Sequence, residues 1–306
     1  VQSGFYLSII LASLGALLFA AKAIVVKFSY QYGATADIVL TLRMVFSLPI
    51  FWLAVWWNQQ ITSPQPLIRK DVIKVCAIGL LGYFVSSYLD FLGLHYISVG
   101  LERVILYLIP AIVLVLSKFL LKKTIDRRQY WAMAIAYFGI VMVFMHDIEL
   151  NNHGAVVLGS VLVFLAAVVY SVYLIFAGEL VGRVGSIRMV ALASASATAA
   201  TCIQSLVLGV GQLFVQQPEV YYFALINALF CTFIPMLFIM MAVNRIGSSL
   251  TAQAGTIGPV GTAFLGWYFL SEPVSALQLA GIAVVLIGIA ILLSIGKSNP
   301  NPAAAE

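Results

Sequence analysis

Ten apolar stretches, each about 18–29 residues long, follow one another along the chain, which is the length a helix needs to cross the hydrocarbon of a bilayer. They fall near residues 4–28, 36–57, 72–94, 98–121, 129–146, 154–178, 187–215, 220–243, 248–270 and 274–295. The breaks are short and carry turn or charged residues: Tyr32-Gly33, Ser63-Pro64-Gln65-Pro66, Lys122-Lys123, Asn151-Asn152, Gln217-Pro218 and Glu272-Pro273. Of the 306 residues, 63% are hydrophobic and 9% charged, whereas soluble domains run about 45–50% apolar and about 25% charged. Soluble and disordered classes are thereby excluded. The expectation is an all-α integral membrane protein of ten transmembrane helices. The first stretch lacks a basic leader and reads as a retained span. The polar, Pro- and Ala-rich tail 297–306 is expected to be disordered.

The formal charge of +5 does not imply a nucleic-acid partner, because the basic residues sit in short loops where they set orientation in the lipid bilayer. With ten spans, the face shared by both termini and the even-numbered loops holds Arg69, Lys70, Lys74, Lys118, Lys122, Lys123, Arg127, Arg128, Arg183, Arg188, Arg245 and Lys297. The other face holds Lys27 and Arg103 and most of the acids. Both termini are therefore expected to be cytoplasmic. Cys76, Cys202 and Cys231 have no CxxC spacing, and His95, His146 and His153 fall in outer-side turns. No metal or other cofactor is expected. There is no HExxH, P-loop, GxGxxG or GxSxG, so an enzyme has no support.

The chain repeats itself. A shift of 149 residues pairs Phe84 with Phe233, Ile97 with Ile246, Leu101 with Leu250, Pro110 with Pro259, Gln129 with Gln278 and Gly139 with Gly288. This divides the chain into a first repeat, 1–148, and a second, 149–296. Each holds five spans, an odd number, so the second copy must cross the bilayer in the opposite sense. Such inverted-topology repeats build the midplane sites of many secondary transporters.

Ionisable groups within spans are costly in hydrocarbon and usually mark a partner or a wet cavity. Lys22, Arg43, Asp90, Glu102 and Arg103 fall in the outer part of the first four spans. Their counterparts in the second repeat are uncharged: Ser171 for Lys22, Ile239 for Asp90, Thr251 for Glu102 and Ala252 for Arg103. Two readings stand: an outer gate or coupling site, or a static buried salt-bridge cluster with snorkelling side chains. Tyr83, Tyr88, Tyr107, Tyr170, Tyr173 and Trp267 lie within spans, and a few of them are candidates, with Gln204, Asn227 and Gln253, to line a substrate cavity; for any one aromatic, core packing is the default. Pro110 and Pro259 are expected to kink matching spans, and Pro49 and Pro235 interrupt two more. Trp52, Trp56 and Trp57 read as interfacial anchors.

Ten spans in two repeats, a proline midway along the fourth and ninth, and the segments Gly100–Pro110 (GLERVILYLIP) and Gly255–Ile289 resemble the drug/metabolite transporter superfamily, EamA type. Glu272-Pro273 resembles that family's turn between its last two spans, where the first repeat departs with Lys123-Thr124. The resemblance implies a cavity lined by spans one to four and six to nine. It also implies a multi-pass protein of the bacterial inner membrane, monomeric or weakly dimeric, that exports a small-molecule substrate. An amino acid or related metabolite is expected, moved by alternating access, with or without a coupled proton. Alternatives are an exchanger of anionic phosphorylated metabolites, or a membrane enzyme or scaffold that moves nothing.

Overall fold

In the computed structural model of the chain, the described residues are 2–61, 67–120, 127–150, 153–209, 211–254, 258–271 and 275–297, and their regular structure is entirely helical. The first repeat contains α1 (Gln2–Gln31), α2 (Ala36–Ile61), α3 (Arg69–Gly79), a π-helical segment (Leu80–Val85), α4 (Ser86–Leu94), α5 (Val99–Leu106), α6 (Ile109–Leu120) and α7 (Arg127–Leu150). The second contains α8 (His153–Val184), α9 (Ser186–Leu208), the short α10 (Gly211–Phe214), α11 (Pro218–Ala228), a second π-helical segment (Leu229–Phe233), α12 (Ile234–Ala254), α13 (Gly258–Leu270) and α14 (Ala276–Lys297). Among the described residues, seven helical stretches are long and apolar enough to cross a membrane: Tyr6–Gln31, Ala36–Gln60, Arg69–Leu94, Val99–Leu120, Gly154–Val184, Ser186–Val207 and Pro218–Gly247. Tyr130–Met145 and Ala276–Gly288 are shorter apolar helices. The tail beyond Lys297 and the Glu272-Pro273 turn lie outside the described residues.

Several expected spans are subdivided, for local reasons. The stretch 98–121 breaks at Tyr107-Leu108 into α5 and α6. Pro110 has no N–H to return to Leu106, so the backbone tightens, with Leu108 N donating to the Ile105 carbonyl at 3.0 Å before Ile112 N resumes on Leu108 at 2.8 Å. Ser98 caps α5, its hydroxyl accepting from Leu101 N at 3.0 Å. Pro49, by contrast, lies within a continuous α2 and does not interrupt it. The stretch 187–215 ends as a helix at Leu208, before Gly209. At Gly247 the chain adopts φ 79°, ψ 163° and turns between two helical segments of α12, a left-handed conformation open to glycine without cost.

The two π-helical segments begin at Leu80 and Leu229, the spacing that relates the sequence repeats. Packing follows the same relation. α1 lies along α12, while α8, its counterpart in the second repeat, lies along α4. α2 packs on α9, α5 on α13 and α7 on α14. The α7–α14 seam has small residues at its closest approach: a Cβ added at Gly139 would fall 2.6 Å from the Gly281 carbonyl oxygen, and one at Gly288 would fall 2.6 Å from Ala136 N. Small residues also join α9 to α2, with Thr41 and Ser205 hydroxyls 2.9 Å apart.

Candidate functional site

Between α1 and α12 on one side and α4, α5, α6 and α8 on the other lies a cavity of about 150 Å³. One end carries Lys22, Asp90 and Arg103, the other Ala12, Val243 and Thr251, and Tyr107, Pro110 and Tyr170 lie along the wall. An apolar cavity of this size holds a molecule of roughly benzene dimensions. Here the charged end and the hydroxyls of Ser86 and Ser87 suit a small polar guest.

The charged end is built from three parts of the first repeat. Lys22 of α1 forms an ion pair with Asp90 of α4, both side chains almost wholly buried. Arg103 of α5 donates through Nη2 to the Phe19 carbonyl of α1 at 2.8 Å. Its Nε is 3.0 Å from Glu102 Oε2, a close charge contact not aligned as a hydrogen bond. Nearer the end of α1, Lys27 Nζ donates to the Ile97 carbonyl at 2.8 Å and the Tyr30 hydroxyl to the Phe91 carbonyl at 2.7 Å. These contacts stitch α1 to α4 and to the turn that follows it. Asp90, Glu102, Arg103 and Arg43 all lie within coulombic reach of Lys22, so the five charges form one buried cluster. Lys22, Asp90 and Arg103 face the cavity; Glu102 and Arg43, each with 0% exposure, stand behind its wall.

The other candidates separate. Tyr107, Tyr170 and Pro110 line the cavity. Tyr83 and Tyr173 are buried together, hydroxyls 3.1 Å apart, and join the first π-helical segment to α8. Tyr88 stacks on Phe84. Gln204 is half-buried on α9, while Asn227 is fully buried on α11. Trp267 is 55% exposed beside Phe264 on the outer surface of α13, away from the lining residues. Pro259 lies in the first turn of α13, and the side chains of Pro259 and Gln253 lie outside the described set.

Two aromatic residues not expected from the sequence belong to the cluster. Lys22 lies 4.7 Å from the Phe19 ring centre, and Phe91 has Lys22 at 5.3 Å and the Arg43 guanidinium at 4.7 Å. These cation–π contacts replace part of the hydration the cations forgo. Phe19 precedes Lys22 by one helical turn and Phe91 adjoins Asp90. Among 19 phenylalanines, that spacing alone is a weak signal. Among the described residues, no three His, Cys, Asp or Glu side chains gather in a group able to hold a metal ion.

Comparison with known proteins matches both halves of the chain to one family, the EamA-like transporter family, over residues 6–145 and again over 157–294. An uncharacterized transporter of Bacillus subtilis, YcbK, is 30% identical over 273 residues, covering 88% of this chain and 86% of its own. An uncharacterized transporter of Archaeoglobus fulgidus is 25% identical over 234 residues, covering 73% and 78%. A protein of known crystal structure superposes with a TM-score of 0.67 at 15% identity, across 96% of this chain and 99% of that one, a likeness of fold alone.

Proposed function

The chain belongs to the EamA-like transporter family, and on that premise we propose that it is a secondary transporter exporting small polar metabolites, amino acids or close relatives, by alternating access. The observation that carries this reading is the cavity with a buried ion-paired cluster across one end. The reciprocal packing of the repeats supports an inverted pair of five-helix bundles that rock about the cavity. The excess of Lys and Arg on one face supports cytoplasmic termini in a bacterial inner membrane, with the charged end outward.

On this reading the Lys22–Asp90 pair, Arg103 on the Phe19 carbonyl, and the Lys27 and Tyr30 hydrogen bonds close the outer end. Outward opening parts α1, moving with α12 on which it packs, from α4 and α5. Asp90 and Glu102 are the acids placed to carry a coupling proton, since each has a buried carboxylate oxygen without a hydrogen bond among the described residues.

The test is flux in proteoliposomes loaded with an amino-acid panel under an imposed proton gradient. Asp90→Asn and Glu102→Gln are expected to abolish gradient-driven flux at equal protein content. Unchanged flux with unchanged pH dependence in both variants removes the coupling role, and absence of flux for every panel member removes amino-acid export. An exchanger of phosphorylated metabolites draws on the cation surplus of the cluster, and flux that requires internal substrate would select it. The cavity volume favours the smaller cargo.

A further inference from the structure

The five-charge cluster has three cations and two carboxylates, and its two ion pairs engage Lys22 with Asp90 and Arg103 with Glu102. Arg43 is the cation without an ion pair among the described residues, although Asp90 lies within its coulombic reach. Its side chain is 0% exposed, and among the described residues none of its three nitrogens has a hydrogen-bond partner. A guanidinium offers five N–H donors in a planar fork, and leaving them dry is costly beyond what the Phe91 ring returns. Such a group calls for an anion.

The elements packed against α2 carry further unused polar atoms. α2 packs against α11 and the second π-helical segment. On those two elements Asn227 has both side-chain polar atoms buried and unbonded, and the Thr232 hydroxyl is likewise without a partner among the described residues. Cys231, next to Thr232, lies within coulombic reach of Arg43, Lys22 and Arg103, which brings this segment of the second repeat to the cluster. The Phe91 ring touches both Arg43 and cavity-lining Lys22, so the free guanidinium is one aromatic ring away from the cavity wall.

We propose that Arg43 is the anchor for a carboxylate of the cargo, which reaches the guanidinium fork from the cavity when the Phe91 ring between them turns aside, with Asn227 and Thr232 on the neighbouring elements as the candidate further donors. One negative charge cancels the cluster's surplus, and a planar carboxylate matches the fork in a bidentate pair as a spherical anion cannot. The assignment deepens the transport reading and rests on it for the word cargo. The receptor itself stands independently, so binding without flux would overturn transport alone, and flux without carboxylate binding would overturn this site alone.

The experiment is thermal unfolding of the purified full-length chain in detergent at constant pH and ionic strength. The probes are sodium acetate, sodium chloride, glycine and glycinamide, the last being glycine with its carboxylate masked. Acetate and glycine are expected to raise the midpoint saturably by a few degrees, as ligands specific for the folded state do, while chloride and glycinamide leave it in place. Arg43→Gln is expected to lose the response and Arg43→Lys to retain a weakened one. A chloride response equal to that of acetate identifies a site for free inorganic anions and overturns the carboxylate assignment, as does an acetate response that survives in Arg43→Gln or is absent from the wild type. Arg43→Met separates a receptor from a structural pillar. Removing an unpaired buried charge should leave its midpoint in acetate-free buffer at or above the wild-type value, and a variant that aggregates or melts far below it overturns the proposal.

Discussion

At the scale of single residues, the Lys22–Asp90 pair has the sharpest energetic consequence. Both side chains are buried, and a buried pair contributes little net stability while the loss of one partner strands the other. Lys22→Met is therefore expected to destabilise the folded protein by about 3–5 kcal/mol. The double variant Lys22→Met/Asp90→Leu should recover most of that loss, because it removes both desolvated charges. Reversible denaturation in mixed micelles measures the difference, and equal damage in the single and double variants would mean that Asp90 has another cationic partner. The charges were legible in the sequence because charge is conspicuous in an apolar chain. Their aromatic partners were not: Phe19 and Phe91 differ from other phenylalanines only in the cations that tertiary packing lays against them. Trp267 failed as a cavity residue for the converse reason, since a tryptophan within an apolar helix carries no mark of the side on which it emerges.

At the scale of elements, the break before Pro110 was legible because a missing N–H is a local fact. The π-helical segments were not, although Phe84 and Phe233 lie within them at matching positions, because a widened turn leaves no compositional trace in Leu80–Val85. The glycine matches had a different meaning from their sequence appearance: Gly139 and Gly288 mark the α7–α14 seam, where backbones meet without intervening side chains. Gly139→Ala would place its methyl 2.6 Å from the Gly281 carbonyl oxygen and 2.7 Å from Val285 N. Neither is a flexible side-chain end, so the helices must part, at a cost of about 1–3 kcal/mol. Gly182→Ala in α8 meets nothing within 4 Å and should be neutral or stabilising by up to about 1 kcal/mol. Thermal midpoints of the two variants, compared in one detergent, check the contrast. A Gly139→Ala protein as stable as the wild type would mean that the two helices have room to part at this seam.

At the scale of the molecule, the packing is reciprocal but the chemistry is not. α1 is tied to α4 and its following turn by an ion pair and by side-chain hydrogen bonds to backbone carbonyls. At the matching positions of the second repeat, Ser171 and Thr251 donate only to carbonyls of their own helices, Ala167 at 2.7 Å and Gly247 at 2.8 Å. The ion pair described at the other end, Arg183 with Asp71 at 3.4 Å, has an exposed arginine and is screened by solvent. On the proposed alternating-access reading the buried charges therefore bias the protein toward keeping their own end shut, and releasing that lock should redistribute its states. Every 1.4 kcal/mol of bias removed multiplies the outward-open population about tenfold. Tyr107 lines the cavity, so Tyr107→Cys, in a background with Cys76, Cys202 and Cys231 replaced, reports access to it. A membrane-impermeant maleimide applied from outside intact cells should label this site slowly when Lys22 and Asp90 are present. With the uncharged polar pair Lys22→Gln/Asp90→Asn, which gives up the charge attraction and hydrates readily on opening, it should label at least about tenfold faster, while access from the cytoplasmic side in inverted vesicles declines. Equal rates from outside would leave the cluster as a structural knot, and faster labelling from both sides at once would mean a loosened bundle instead of a released gate.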